Sequence, residues 1–457
     1  MSSSAKPPQP LNRTLVPSGE PPRPYAFPAI DAFRLSNGLR VLCVRQPAFP
    51  IVTVEVLTPA GGRFNPLDRP GLADIHSLLL QEGTRSHNSS ELASAVEQLG
   101  GALDSGAGWN AAYCEMELLS ASFDHGLGLL AEMVFEPTFP EEKLEWLRER
   151  ASADLLLRPT RPRLLADDVF SRVVYGGSVY GFPLKGTPES VGAFVLDELW
   201  ELHRRSMVPG DSTLVVAGDV DPDRLRIRAE ELFGSWEARP SLEPPVIEPA
   251  PLRGIQVHIA DRPGAAQTQL QVGHVGVDRR HPEYYKLIVL NVLLGGKFTS
   301  RLNLNLRERH GFTYGVQSNF ARRLGPGPFS IKAAVATDVA GAAVREILFE
   351  LRRLCTDPIP AEELQETLDY LLGVFPYTVQ TTEDLAARLE NLAMFDLPLD
   401  YYDIYPRQLR SLRPQDLEEA ARSFVYPEDL VIVAVGPAEA LRAELESFGP
   451  VTVHGQD

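Results

Sequence analysis

STLVVAGDVDPDRLRIRAEELFGSW (212–236) and, much later, EDLVIVAVGPAEALRAELESFGPV (428–451) follow one plan. Each is a β-run, a Gly-containing turn and an amphipathic helix, ending at Phe233-Gly234 or at Phe448-Gly449. Upstream, LRVLCVRQPAFPIVTVEVLTPAGG (39–62) reads as a strand, a Pro-containing turn and a second strand, and GIQVHIADRPGAAQTQLQVGHVG (254–276) repeats that order. The offset is about 216 residues at both places, too long for a solenoid period and right for a duplicated domain. Between the copies lies WEARPSLEPPVIEPAPLRG (236–254), whose five prolines suit an extended linker. The expected layout is a Pro-rich mobile tail (1–29), a first domain (30–235), a linker (236–253) and a second domain (254–457).

Within each copy the strands alternate. In Tyr113-Cys114-Glu115-Met116-Glu117-Leu118 one face is Tyr/Glu/Glu and the other Cys/Met/Leu, the mark of a sheet buried on one side. Helical periodicity is expected over roughly 140–157, 193–206, 338–355, 360–375 and 381–396. Strands first and helices afterwards predict an α+β fold, each domain a mainly antiparallel sheet covered by helices, not a doubly wound βαβ sheet. No dinucleotide fingerprint, phosphate loop or Ser elbow stands in a convincing context.

Composition narrows the function. The 457 residues are 44% hydrophobic, enough for more than one core. No run approaches the ~18 apolar residues of a membrane span, so no membrane partner is expected. The opening MSSSAKPPQPLNRTLVPSGEPPRP has no apolar secretory core and too many prolines for an amphipathic targeting helix. Three scattered cysteines, Cys43, Cys114 and Cys355, build neither a disulfide framework nor a Cys-zinc site, which suits a reducing cytoplasm. A net charge of −17 argues against nucleic acid as a partner. It would favour a cationic peptide, although acidity that merely keeps a protein soluble is the simpler reading.

Four stretches, in order, resemble the insulinase/pitrilysin/mitochondrial-processing-peptidase family of zinc peptidases. LSNGLRVL (35–42) looks like its opening strand, GLADIHSLLLQEGT (71–84) like its metal helix, YGFPLKGTPESV (180–191) like its Gly-Thr-Pro-Glu-Ser turn, and LLGGKFTSRLNLNLRERHGFTYGVQS (293–318) like the signature of its second domain. The resemblance implies two tandem domains facing each other across a cleft. Active members carry H-x-x-E-H on the metal helix. Positions i and i+4 share a helix face, so two imidazoles hold one Zn²⁺, and the Glu takes a proton from its bound water. Aligned without a gap, this chain places Asp74, Ser77 and Leu78 there. A carboxylate replaces the first ligand, a hydroxyl the base and a hydrocarbon the second ligand. The family's third ligand, a Glu, would fall in RERASADLLL (148–157), where the nearest carboxylate is Asp154. No shifted site is expected: the nine histidines include no i,i+4 pair, and His76 reads as a partly exposed helix residue. No metal or cofactor is therefore expected in this chain.

The second copy keeps other parts. A helix from about Thr299 should end near Gly311, with Phe312 opening a strand and the turn folding Tyr314 back beside Arg307. From residue types alone, Arg307 would cap or salt-bridge its helix end and Tyr314 would pack in the sheet; Gly295-Gly296 would end the preceding helix. The resemblance implies instead that Arg307 and Tyr314 bind substrate and stabilise the transition state, with Gly295-Gly296 as a flexible loop at the cleft. In half-sized two-subunit relatives, one subunit brings zinc and the other brings Arg and Tyr. The chain thus has the parts of a non-zinc subunit, inactive alone, in a heterodimeric peptidase with an H-x-x-E-H partner that carries the zinc. The alternatives are an inert assembly subunit and a peptide-binding homodimer.

Overall fold

A computed structural model describes residues 25–240, 243, 245–249 and 251–455. It contains two six-stranded sheets. The first is built from β1 (Ile30–Arg34), β2 (Arg40–Arg45), β3 (Ile51–Thr58), β4 (Ala102–Ala107), β5 (Ala112–Leu119) and β6 (Thr213–Gly218), in the order β1-β2-β6-β3-β5-β4. The second contains β7 (Gln256–Asp261), β8 (Gln267–Val275), β9 (Val316–Phe320), β10 (Pro328–Ala336), β11 (Val431–Gly436) and β12 (Val451–His454), in the order β12-β7-β11-β8-β10-β9. Five strands correspond one to one, and in each set a single parallel pair, β2 with β6 or β7 with β11, sits beside antiparallel neighbours. The duplication read from the two β-turn-helix endings is thus a duplication of topology. Only the sixth strand differs: β1 joins β2 antiparallel, whereas β12 joins β7 parallel.

Alternation works as expected in β5, where Ala112, Cys114, Met116 and Leu118 are buried, the last three in the first core. The central strands β6 and β11 are instead buried along their whole length. Their apolar runs, TLVVAG and VIVAVG, have no polar face because both faces are covered. The covering is reciprocal. Helix Thr382–Met394 of the second half lies on β3 and β6 of the first sheet, and helix Pro162–Tyr175 of the first half lies on β8 and β11 of the second. Each half therefore completes the other's core, and Leu42, Val44, Val215 and Ala217 belong to the second half's hydrophobic cluster.

The expected helices appear as Glu141–Leu157, Leu196–Ser206, Ala340–Thr356, Ala361–Val374 and Thr382–Met394. No helix among the described residues is long and apolar enough to cross a membrane. One expectation needs correction. Of the tail expected over 1–29, residues 1–24 lie outside the described residues; β1 begins at Ile30, but before it Phe27 is buried and stacks on Tyr402, with ring centroids 4.8 Å apart. An aromatic pair of this kind anchors the chain to the second half. The described residues of the Pro-rich linker form neither helix nor strand, and Ile247 among them is buried in the cluster that holds Tyr180.

Candidate functional site

The helix aligned with the metal helix spans only Leu72–Leu79. Ser77 is fully buried, its hydroxyl donates to the Ala73 carbonyl at 2.8 Å, and its own carbonyl accepts from Ser105 on β4 at 2.8 Å. Leu78 packs half-buried on the first core. Asp74 is buried, and desolvation pushes its carboxyl pKa up against the opposing pull of Lys185. Asp154 points away into solvent, 3.8 Å from Arg161, with 67% of its side chain exposed. These positions do not fit zinc. Leu78 has no lone pair, the Ser77 hydroxyl is committed to its own helix, and Asp154 is turned elsewhere. Among the described residues no three His, Cys, Asp or Glu converge to hold a metal ion.

His76 departs from expectation. It is fully buried, not partly exposed, and its Nε2 lies 3.1 Å from Nδ1 of His203. Phe139 and Trp200 complete an aromatic surround. The helix face that carries it is the one turned into the core, so the imidazole cannot reach the face of Asp74 and Leu78.

The second half builds a different site. Helical turns run Tyr284–Asn291, Val292–Gly296 and, after a short break, Asn303–Arg309, the last two wound as π-turns. Such turns concentrate where a helix is bent to functional ends. Gly295 ends the first of them against β9. A Cβ there would meet the Ser318 hydroxyl and amide at 2.6 and 2.7 Å, so only glycine permits this approach. Gly311 closes the second with φ +65°, and the amides of Gly311 and Phe312 donate back to Arg307 and Leu306, as expected of a C-terminal cap. The strand opens at Val316, not at Phe312. Residues 312–315 are a loop pinned at both ends: Thr313 Oγ1 donates to the Ala334 carbonyl at 2.8 Å, and the Asn303 amide exchanges two hydrogen bonds with the Val316 backbone, at 2.9 and 3.2 Å.

That loop presents Tyr314 to solvent, 93% exposed. Tyr314 and Arg307 line one open cavity of about 790 Å³, together with Gly295 and Gly296. The Arg307 guanidinium stacks 4.3 Å above the Phe298 ring, and Glu308 lies 3.5 Å away. So the Gly pair both ends a helix and borders the cavity. Arg307 pairs with Glu308 at its helix end, as residue types suggest, and is also held by the Phe298 ring; Tyr314 does not pack in the sheet. Guanidinium and phenol donors aimed into open space can hydrogen-bond a peptide carbonyl and the charge it develops on attack. Nothing from the Leu72–Leu79 helix lines this cavity, so the chain does not bring Arg307 and Tyr314 together with Asp74, Ser77 and Leu78. Sequence reasoning missed Lys297 and Arg163, which also line it. Lys297 adjoins the Gly pair and could have been singled out. Arg163 arrives on the exchanged helix of the other half, which no local pattern reveals.

Two duplicated α+β units, one with a degraded metal helix and the other with an Arg–Tyr cavity, define a two-domain zinc-peptidase fold without the zinc ligands. The chain belongs to the insulinase, or M16, peptidase family: residues 40–180 match its peptidase profile (Insulinase, Peptidase family M16) and residues 193–371 its Peptidase M16 inactive-domain profile. It is 23% identical to the uncharacterized zinc protease YmxG of Bacillus subtilis, over 90% of this chain and 98% of that one. It is 25% identical to the uncharacterized zinc protease Rv2782c of Mycobacterium tuberculosis, over 88% and 92%. The crystal structure of a peptidase M16 inactive domain from Pseudomonas fluorescens superposes with a TM-score of 0.84 at 25% identity, covering 89% of this chain and 98% of that one. A Helicobacter pylori protease superposes equally well, with a TM-score of 0.84 at 19% identity over 90% and 100% of the two chains.

Proposed function

We propose that this chain is the non-zinc subunit of a heterodimeric peptidase, supplying Arg307 and Tyr314 to the metal site of a homologous H-x-x-E-H subunit that holds the zinc. The observation that carries this reading is the shared cavity: Arg307 and Tyr314 open into one space while the chain's own metal helix offers no ligand set. The guanidinium stays charged at any working pH, and the phenol adds a directional O–H. Both act on a peptide carbonyl brought to the cavity mouth by the partner. The chain alone activates no water.

The test is to purify the chain with its homologous zinc subunit and measure cleavage of a quenched fluorescent peptide. Arg307→Ala and Tyr314→Phe are each expected to lower kcat/KM about 100-fold, the usual cost of losing one well-placed oxyanion donor, while co-purification is unchanged. Full activity in either variant rejects the assigned role. Cleavage by the lone chain rejects the reading as a whole.

A further inference from the structure

The cavity that holds Arg307 and Tyr314 has a charge opposite to that of the chain. Overall the formal charge is −17, yet the charged side chains lining the cavity are Arg163, Lys297, Arg307 and Lys332, and no Asp or Glu among the described residues lines it. The four come from separate places: the first turn of the exchanged helix Pro162–Tyr175, the residue after Gly295-Gly296, the π-turn Asn303–Arg309, and β10. With acidic residues outnumbering basic ones 61 to 44, four converging cations and no lining carboxylate are not a sample of the average surface.

Their counter-charges are uneven. Lys332 pairs with Asp167, and Arg307 has Glu308 at 3.5 Å. Lys297 is largely buried and its Nζ donates to the neutral hydroxyl of Thr367 at 3.1 Å; Glu363 and Glu366 act on it only at longer range. Arg163 is exposed and forms no ion pair within the described residues. Two cations are therefore left facing the cavity without a carboxylate partner. One wall is β9, the last strand of its sheet, whose exposed residues Gln317 and Asn319 line the cavity, while its outer backbone edge is taken up by Asn303 at Val316 and by Gly295 at Ser318.

We infer that the cavity is a carboxylate-recognising subsite that seats an extended acidic peptide segment across the exposed Gln317 and Asn319 side chains, with Arg163 and Lys297 receiving Asp or Glu side chains on either side of the bond presented to Arg307 and Tyr314. This rests on the reading that Arg307 and Tyr314 engage a peptide, and it reverses the preference the net charge alone would set. Inside the cavity the cations lie within about 10 Å of a bound segment, where salt screens them incompletely, whereas the net charge acts from further away.

The test separates recognition from catalysis by using the full chain without any partner. Three fluorescent decapeptides of one sequence, with Glu, Gln or Lys at alternate positions, are titrated by fluorescence anisotropy at low and at 0.5 M salt. The Glu peptide is expected to bind at least tenfold more tightly than the Gln peptide, with most of the difference lost at high salt. Arg163→Gln, an exposed change that leaves the core intact, should weaken Glu-peptide binding about fivefold and Gln-peptide binding hardly at all; Lys297→Met should do the same. Equal or tighter binding of the Lys peptide, a Glu preference that survives both substitutions, or no binding of any peptide overturns the inference. If the Glu preference appears but Arg307→Ala leaves the paired enzyme fully active, the proposed catalytic role fails and the subsite stands.

Discussion

Within the degraded metal helix, the loss of chemistry and the gain of a core are the same event. His203 is buried; its ring also hydrogen-bonds the backbone of Val134, so its Nδ1 is left to accept from His76 Nε2–H. The remaining nitrogen of His76, Nδ1, has no hydrogen-bond partner among the described residues. Both rings are thereby held neutral. Burial drives the His76 pKa well below its usual value, and it pulls His203 down to about 4. An unfolded chain protonates these residues near pH ~6.5, so as pH falls from there the unfolded state takes up protons the folded state refuses. Stability is full above that pH and is lost on the way down to about 4, by up to about 3 kcal/mol from His203 alone. Denaturant titrations at pH 7 and pH 4.5 should show this loss in the natural chain. The His76→Leu/His203→Leu double variant, which removes both partners of the hydrogen bond together, should show a smaller one. An unchanged difference between the two pH values would sink the assignment. Loss of the zinc ligands was legible because Leu78 cannot coordinate under any fold. The destination of His76 was not, since its offset from Asp74 says only that the two face differently, not that Phe139 and Trp200 wait on the other side.

Secondary-structure elements were legible where one chain segment decides its own fate and illegible where two segments share it. The helix ending at Phe233 could be read from its own residues: Asp221 caps it by accepting from the amides of Asp223 and Arg224, and Pro222 opens it. The exchange of helices could not, because an apolar stripe specifies burial without naming the sheet that provides it. The unbroken apolar runs of β6 and β11 were the available clue. The seam under helix Thr382–Met394 also carries carboxyls. Glu55 on β3 is buried and Glu390 on the helix is half-buried, and desolvation raises both pKa values; Glu390 raises Glu55 further, while Arg322 opposes the shift in Glu390. Glu115 on β5 is pushed up to about 7, first by burial and then by Glu383, Asp104, Glu390 and Glu117. Raised carboxyl values mean the folded state holds protons that the unfolded state releases. This part of the stability is complete below about pH 4.5 and is lost as pH rises through the raised values. Hydrogen exchange in Thr382–Met394 should therefore speed up between pH 6 and pH 8 beyond the intrinsic base-catalysed rate, and Glu55→Gln/Glu390→Gln should suppress the excess. Identical excess exchange in the double variant would show that the helix opens for another reason.

At the scale of the whole molecule, the two halves are one folding unit despite being two copies of one topology. Each sheet is covered by a helix from the other half, and a second lock lies between β9 and β10. There Arg323 is buried with its guanidinium 4.6 Å from the Trp109 ring centre and 4.4 Å from that of Tyr180, both from the first half. The same loop is held by its backbone. Tyr175 and Tyr180 donate to the carbonyls of Pro326 and Leu324 at 2.8 and 2.9 Å, and the Asn110 side chain accepts from the Leu324 amide at 2.8 Å. Cation–π contacts that are fully desolvated are worth about 2 kcal/mol each, but the larger force is apolar: without its exchanged helix, either sheet would expose the outer faces of β6 or β11 to water. The Pro-rich linker contributes reach rather than cohesion, apart from Ile247. A protease site placed at Val246, which is 82% exposed, should thus be cut without separating the halves. The cleaved protein is expected to elute from gel filtration at the position of the intact chain and to keep its Arg307–Tyr314 cavity, read as unchanged peptide binding. The halves expressed singly should be insoluble or associate non-specifically through the uncovered sheets. Two stable, monomeric halves after cleavage would mean that each domain carries a complete core of its own, and the reciprocal helices would then be ornament on independent folds rather than the reason the chain holds its shape.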